Sequence, residues 1–343
     1  MRKIKELKTK EEFQQWNEFV CKQEFTLFTQ SSANGEFYKS LGEQFWIFAI
    51  IENNQIIGGS LVSSVHAKRG NFLLLSYGPV LDCKNKSLAK EFFEFLKKFA
   101  KKERYDFIRI SPFWDDTPEI KRTVKSFGFR KAPLHMLAEN TWLLNLEKPL
   151  DKLMKDMKKN HRNLIRRCER EGVTIKKTMD PNGLGRFQEM HDVVAKRHNF
   201  HRFSRKFIQK EFSALTGKGN VALYEAFLPD GRLDSAAIIF YFGNMAAYRH
   251  SASLHLDKRL PTSYLIQWTV IQEAKEKGKK WYNFWGIAPK GSDKKHPFAG
   301  ITHFKKGFGG QQKDLLPAYD FPISLKYWFT FAIESVRRIK RGF

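Results

Sequence analysis

The chain has 343 residues, 42% of them hydrophobic, and 61 Lys+Arg against 36 Asp+Glu give it a formal charge of +25; this excludes a disordered or fibrous protein and predicts two ordinary domains. An excess of that size repels itself unless a polyanion is near, so nucleic acid, anionic lipid or a phosphorylated substrate is implied. Cys21, Cys83 and Cys168 form no C-x-x-C pair, which argues against a disulfide framework or zinc knuckle and fits a reducing, cytoplasmic setting, and no run approaches the ~18 apolar residues of a membrane span.

In chain order, Thr9-x-x-Glu12 leads into the spacing Phe13, Trp16, Val20, the pattern of a capped amphipathic helix. Strands are predicted at 44–51, 55–65 and 72–77, with a turn at Asn53-Asn54. Leu88, Phe92, Phe95, Leu96 and Phe99 then mark a helix, Tyr105 to Ile110 an alternating strand, and a short helix from Pro118 stops at Gly128. The second half repeats the order: strands at 221–228, 233–242 and 246–250, a turn at Asp230-Gly231, a helix carrying Tyr264, Leu265, Trp268, Ile271 and Ala274, a strand at 281–284, and a short helix ending in Gly307-Phe308-Gly309.

Asn53 and Asp230 are separated by the same length of chain as Tyr105 and Tyr282, while Phe127 and Phe308 lie four residues further apart, which places an insertion in the loop 286–300. The reading is a duplicated α/β (α+β) lobe, with a mixed sheet flanked by helices and no coiled-coil arm. Expected boundaries are 1–148 and 149–316 for the lobes, and 317–343 for a C-terminal segment that packs back on the first lobe or lies on a membrane surface.

The order of elements resembles the acetyltransferase (GNAT-type) fold, whose acyl-CoA enzymes hold pyrophosphate on backbone N–H groups at the start of the helix after the central strand. Gln55-Ile56-Ile57-Gly58-Gly59-Ser60 approaches their R/Q-x-x-G-x-G/A loop, but it falls inside a hairpin strand, so its glycines are read as a bulge or a close approach. An acyl-CoA-dependent N-acyltransferase on this scaffold is thus the alternative enzyme reading; a non-catalytic protein binding tRNA or a membrane surface is the alternative from another class.

A helix expected over 151–171 carries Leu153, Met157, Leu164 and Cys168 on one face, and from Lys152 to Arg170 the chain has eight basic residues against Asp156 and Glu169. Lys158, Lys159, Arg162, Arg166 and Arg167 form a candidate phosphate-tracking surface, with Arg162 and Arg166 one turn apart and able to clamp one backbone segment. His198-x-x-His201, His250 and His255 lack metal-site company and are read as structural.

An ordered set of motifs spans nearly the whole chain: Gln30-Ser31-Ser32; Ser76-Tyr77-Gly78-Pro79-Val80-Leu81; Lys159-Asn160-His161-Arg162 through Gly172-Val173; His250-Ser251-Ala252-Ser253; Tyr282-Asn283-Phe284-Trp285-Gly286-Ile287; and Phe304-Lys305-Lys306-Gly307-Phe308-Gly309-Gly310. On these residues the chain resembles the Fem-type peptidoglycan interpeptide-bridge aminoacyltransferases. The resemblance implies twin acetyltransferase-like lobes and transfer of an amino acid from aminoacyl-tRNA to the stem-peptide amine of a UDP- or lipid-linked muropeptide. Aminoacyl-tRNA is then the co-substrate, with no further cofactor and no metal, and the enzyme is expected to be a cytoplasmic monomer, with peripheral contact to anionic membrane as an option. The resemblance puts Lys305 and Phe304 at the acyl-transfer centre, and Lys39, Arg202 and Tyr248 near the precursor. Ser111 and Asn283 stand where Asp is common in such proteins, and no general base is assigned; Asp115 or Asp116 is the only nearby substitute for the first.

Overall fold

The computed structural model describes residues 2–67, 70–198, 202–217, 219–293 and 295–341. They fall into two units, one of Met1–Gln23, Leu27–Glu139 and Lys313–Phe343, the other of Glu24–Thr26 and Asn140–Gln312.

In the first unit the expected N-terminal cap forms. Thr9 Oγ1 accepts from the Glu12 amide at 3.2 Å and the Glu12 carboxylate accepts from the Thr9 amide at 3.1 Å, starting the helix Lys10–Cys21, which buries Trp16 and Val20. The sheet runs in the order Lys3–Leu7, Phe45–Glu52, Gln55–Ala67, Gly70–Tyr77, Phe107–Pro112, Tyr319–Pro322, Arg130–Lys131. All neighbours are antiparallel except Gly70–Tyr77 with Phe107–Pro112. That parallel pair needs a crossover, supplied by the helix Lys86–Lys102, whose Leu88, Phe92, Phe93 and Leu96 bury against the sheet. Asn53 and Asn54 both adopt positive φ, as a tight hairpin turn requires. The Gln55-to-Ser60 stretch is strand, as expected: Gly59, at φ +146, has no room for a Cβ beside the Phe48 carbonyl and exchanges hydrogen bonds with the Val80 backbone at 2.8 and 3.0 Å.

The second unit repeats the arrangement in the order Thr174–Thr178, Val221–Phe227, Leu233–Phe242, Met245–Ser253, Trp281–Gly286, Asn140–Asn145, Gln311–Asp314. Met245–Ser253 pairs parallel with Trp281–Gly286, crossed by the helix Thr262–Glu276. The repeat extends further than the sequence pattern reached: a first strand and two helices, Lys10–Cys21 and Ser32–Ser40 in one unit, Leu184–His198 and Arg205–Thr216 in the other, precede each meander.

Three expectations are corrected. Residues 140–148, assigned to the first lobe, belong to the second unit, because Asn140–Asn145 pairs antiparallel with Trp281–Gly286. Residues 313–316, assigned to the second lobe, belong to the first unit together with 317–343, where Tyr319–Pro322 pairs antiparallel with Phe107–Pro112. Each sheet therefore takes its sixth strand from outside its own meander. The helix expected over 151–171 is two helices, Leu150–Asp156 and Lys159–Arg170, because Met157 turns to an extended conformation and the Lys158 amide donates to the Gly307 carbonyl at 2.9 Å instead of continuing the first helix.

The C-terminal helix Lys326–Arg341 buries Tyr327, Thr330 and Glu334. Arg109, wholly buried, donates to Asp320 at 2.7 and 2.8 Å and to Glu334 at 2.7 and 3.3 Å, so a charge network fixes which face of this helix turns inward.

Candidate functional site

The two sheets differ where their parallel strands meet. In the first unit pairing runs unbroken from Phe72 opposite Phe107 to Tyr77 opposite Pro112. In the second it covers only Met245 opposite Trp281, Ala246 opposite Tyr282 and Ala247 opposite Asn283. Met245–Ser253 then stays with Leu233–Phe242, and Trp281–Gly286 stays with Asn140–Asn145 past a bulge between Asn283 and Gly286. The second sheet thus splits into two arms beyond Asn283.

Lys305 stands in that split. It lies in the last turn of the helix Ala299–Lys306, its residue is only 4% exposed, its Nζ donates to the Gly286 carbonyl on one arm at 2.6 Å, and it lies 5.8 Å from the centre of the Tyr248 ring on the other. Burial, with no carboxylate partner among the described residues, pushes its pKa down to about 7. Tyr248 is buried as well, and burial raises its hydroxyl to about 12. At neutral pH the split therefore holds a titrating ammonium beside a neutral phenol.

The turn after Lys305 is clamped by the helix Lys159–Arg170. His161 is buried, its Nε2 donates to the Phe304 carbonyl at 2.9 Å, and its ring lies so close to Gly307 that a Cβ there would overlap it. A carbonyl only accepts, so Nε2 carries the proton, and Nδ1 has no partner among the described residues. Burial lowers the His161 pKa, keeping the ring neutral. Tyr264 meets Phe304 edge-on at 4.9 Å, and Trp142 Nε1 donates to the Gly309 carbonyl at 2.6 Å. Phe304, half-buried, belongs to this aromatic cluster.

Among the candidate phosphate-tracking residues, Lys158 and Lys159 are exposed at the start of the helix, beside the Phe304-to-Gly310 turn, and Arg166 is exposed one to two turns further on. Arg162 has an internal task instead: its guanidinium donates to the Lys155 and Met157 carbonyls at 2.9 and 2.6 Å, closing the end of the preceding helix. The expected Arg162–Arg166 clamp is therefore half committed elsewhere. Arg167 reaches the Arg259 carbonyl at 3.4 Å.

Of the precursor candidates, Tyr248 shares the split with Lys305. Arg202 pairs with Asp192 and donates to the Phe203 carbonyl at 2.8 Å. Lys39 is exposed in the last turn of Ser32–Ser40, in the first unit. Sequence reasoning missed Arg249, which joins the arms' far ends. It lies 5.0 Å from the Trp285 ring and 5.3 Å from the Phe203 ring, and donates to buried Glu211 at 3.2 Å. Glu211 also takes a 2.6 Å hydrogen bond from His250, and its carboxyl is held below the usual range by Arg249 and His250 despite burial. Asn283 Oδ1 accepts from Thr141 and from the Trp285 amide at 2.6 and 2.8 Å, supporting the positive φ of Trp285. The side chains of His198 and His201 lie outside the described residues.

In the first unit, Gln30 is a structural hub. Its side chain donates to the Ser76 carbonyl and accepts from the Leu61 amide at 2.8 and 2.9 Å, and its own carbonyl accepts from Trp16. Ser111 is buried with no partner for Oγ among the described residues, and Asp115 and Asp116 are paired with Lys313 and Lys121. At the start of Thr262–Glu276, where acyl-CoA enzymes hold pyrophosphate, the buried Asp234 carboxylate accepts from Thr262 Oγ1 at 2.6 Å and from the Leu256 amide at 2.7 Å. A negative charge already occupies that position.

Comparison with solved structures gives the crystal structure of FemX at a TM-score of 0.84 and 18% identity, covering 96% of this chain and 100% of that one. A tandem GNAT protein from the clavulanic acid biosynthesis pathway follows at 0.58 and 9%, covering 94% and 99%. Both likenesses show the fold, two tandem GNAT-type lobes. By sequence the chain is similar to the lipid II:glycine glycyltransferase of Staphylococcus aureus (strain USA300), 19% identical over 73% of this chain and 76% of the relative. The FemAB family model matches residues 9–226 and 232–335, and the chain belongs to the FemAB family.

Proposed function

We propose that this protein transfers an amino acid from aminoacyl-tRNA to the peptide amine of a peptidoglycan precursor, building an interpeptide bridge at the cytoplasmic face of the membrane. One observation carries the reading: the buried Lys305 ammonium inside the split of the second sheet, held by Gly286 and Tyr248. Family membership and the glycyltransferase relatives support the acyl class.

In the proposed reaction the acceptor amine attacks the ester carbonyl of the aminoacyl-tRNA. The new C–N bond forms as the C–O bond to the ribose breaks, and the amine's proton leaves with the tRNA hydroxyl. Lys305 stabilises the oxyanion, a contribution of ~2.7–4 kcal/mol for a well-placed donor. The same positive charge favours the neutral, nucleophilic form of the amine, which is otherwise about one part in a thousand at pH 7. Phe304 and Tyr264 offer an aromatic wall for the acceptor end of the tRNA, while Lys158, Lys159 and Arg166 track phosphates behind it. Tyr248 serves the precursor, with Arg202 acting through the Phe203 and Arg249 cluster.

The test is incubation with a mixed pool of labelled aminoacyl-tRNAs and either a nucleotide-linked or a lipid-linked muropeptide. Amide-linked label on the precursor supports the proposal; label that stays on tRNA with both acceptors contradicts it.

A further inference from the structure

The C-terminal helix Lys326–Arg341 packs one face inward and leaves a second, apolar face outward. Its inward face sets Tyr327 and Phe331 against Phe72, Leu74 and Phe107, with Thr330 and Glu334 beside them, and Glu334 is neutralised by Arg109. Its outward face carries Trp328, Phe329, Ala332, Val336 and Ile339, continued from Leu325 just before the helix. Their spacing of three and four residues sets them in one stripe opposite the buried face. Leu325 is 87% exposed, Phe329 63% and Ile339 76%. A helix that merely covered a sheet would turn these residues inward.

Charge identifies what the stripe meets. Lys326, Arg337, Arg338, Lys340 and Arg341 are the helix's basic residues, and its single acid, Glu334, is buried against Arg109. Where the stripe begins, an open pocket of about 400 Å³ is lined by Lys101, Arg104, Tyr105, Leu325 and Lys326. Asp106 also lines it, but its two carboxylate oxygens accept from Ser324 Oγ and the Asn71 amide. Arg130 lies over the Trp328 ring at 4.4 Å. Cations flank the apolar stripe on both sides, and two copies pressed together along it would bring like charges against each other. No helix among the described residues is long and apolar enough to cross a membrane, so the face suits lying on one.

We infer that this helix docks on an anionic lipid bilayer, inserting Leu325, Trp328, Phe329, Val336 and Ile339 between headgroups, with phosphate taken up by Arg337, Arg338 and the Lys101–Arg104–Lys326 pocket. Docking would bring the chain to a lipid-linked acceptor, and it stands apart from the transfer reaction, because neither tRNA nor acceptor is needed to see it.

The experiment is flotation of the full chain with vesicles of phosphatidylcholine alone or mixed with phosphatidylglycerol, at low salt, with sedimentation velocity on the free protein. The expected result is flotation with the anionic vesicles only, reduced at least about tenfold both in Phe329→Ser/Val336→Ser/Ile339→Ser and in Arg337→Glu/Arg338→Glu/Lys340→Glu. All six side chains are exposed, and unchanged circular dichroism and unfolding temperature verify the fold; if the apolar variant is unstable, the charge variant decides alone. Absence of flotation, equal flotation with neutral vesicles, undiminished binding by a folded variant, or a dimer that the serine variant dissolves would each overturn the inference. Vesicle binding without transfer would leave docking intact and sink only the aminoacyl-transfer proposal; transfer to soluble acceptor without vesicle binding would do the reverse.

Discussion

His161 and Phe304 are joined by a 2.9 Å hydrogen bond from the imidazole Nε2 to the backbone carbonyl, with the same imidazole pressed against Gly307. The bond ties the basic helix Lys159–Arg170 to the residue next to Lys305. His161 is thus a positioning residue: it fixes where the Lys305 helix ends and so where Nζ stands.

His161→Ala removes both the bond and the ring. We expect it to destabilise the protein by roughly 2–4 kcal/mol and to lower kcat more than KM for the acceptor. His161→Gln, able to donate to the same carbonyl, should recover part of kcat. Equal loss in both variants would reduce His161 to core packing. Gly307→Ala should be comparably damaging in thermal unfolding, since its methyl meets the His161 ring.

Lys305 trades stability for function. Its folded-state pKa of about 7 lies below the unfolded value of 10.5. Below pH 7 both states are protonated and the native state bears the full cost of burying the charge. Between pH 7 and 10.5 the unfolded chain holds the proton more often, so stability rises with pH, and above 10.5 the cost is gone. Lys305→Met should therefore raise stability at neutral pH by about 4 kcal/mol while abolishing transfer, with the gain shrinking toward pH 10. Urea unfolding of both proteins across that range checks it; a destabilised Lys305→Met would show that the lysine is structural.

How much of this was legible in the sequence varies by element. The two meanders and their crossover helices were readable because alternation and helical spacing are local, and because the second copy confirmed the first. The strands Asn140–Asn145 and Tyr319–Pro322 were not, since nothing in a short segment says which sheet it joins. Likewise, nothing within Lys152 to Arg170 announces the break at Met157: the Lys158 amide is claimed by Gly307, far along the chain. Local pattern could not separate Lys305 from Lys306 either, and only the family likeness favoured the first. The structure distinguishes them, placing Lys305 in the split and Lys306 5.3 Å from the Trp142 ring. Arg249 gave no signal because its partners come from two other segments, Phe203 and Glu211 from one and Trp285 from another.

Asp234 sets a prediction against the acyl-CoA reading. With its carboxylate at the start of Thr262–Glu276, acetyl-CoA titrated calorimetrically should give no saturable heat, and Asp234→Asn, which removes the charge, should bind CoA more readily than wild type. Tight binding of acetyl-CoA by the unmodified protein would favour the alternative enzyme class.

Charge reversal at Lys158, Lys159 and Arg166 should weaken tRNA binding and flatten its salt dependence, by about one unit of slope for each phosphate no longer neutralised. Arg162→Ala should instead act mainly on stability, because its guanidinium closes a helix end. Filter binding across a salt series separates the two behaviours, and an unchanged slope in the triple variant would place the tRNA elsewhere.

The role of Lys305 is decided by single-turnover transfer of a labelled amino acid from aminoacyl-tRNA to a muropeptide, with the wild-type protein beside Lys305→Met and Lys305→Arg. We expect amide-linked product with wild type, a rate at least about a hundredfold lower with Met, and partial activity with Arg, which keeps the charge. Wild-type turnover in Lys305→Met, with its fold intact, would refute the assignment.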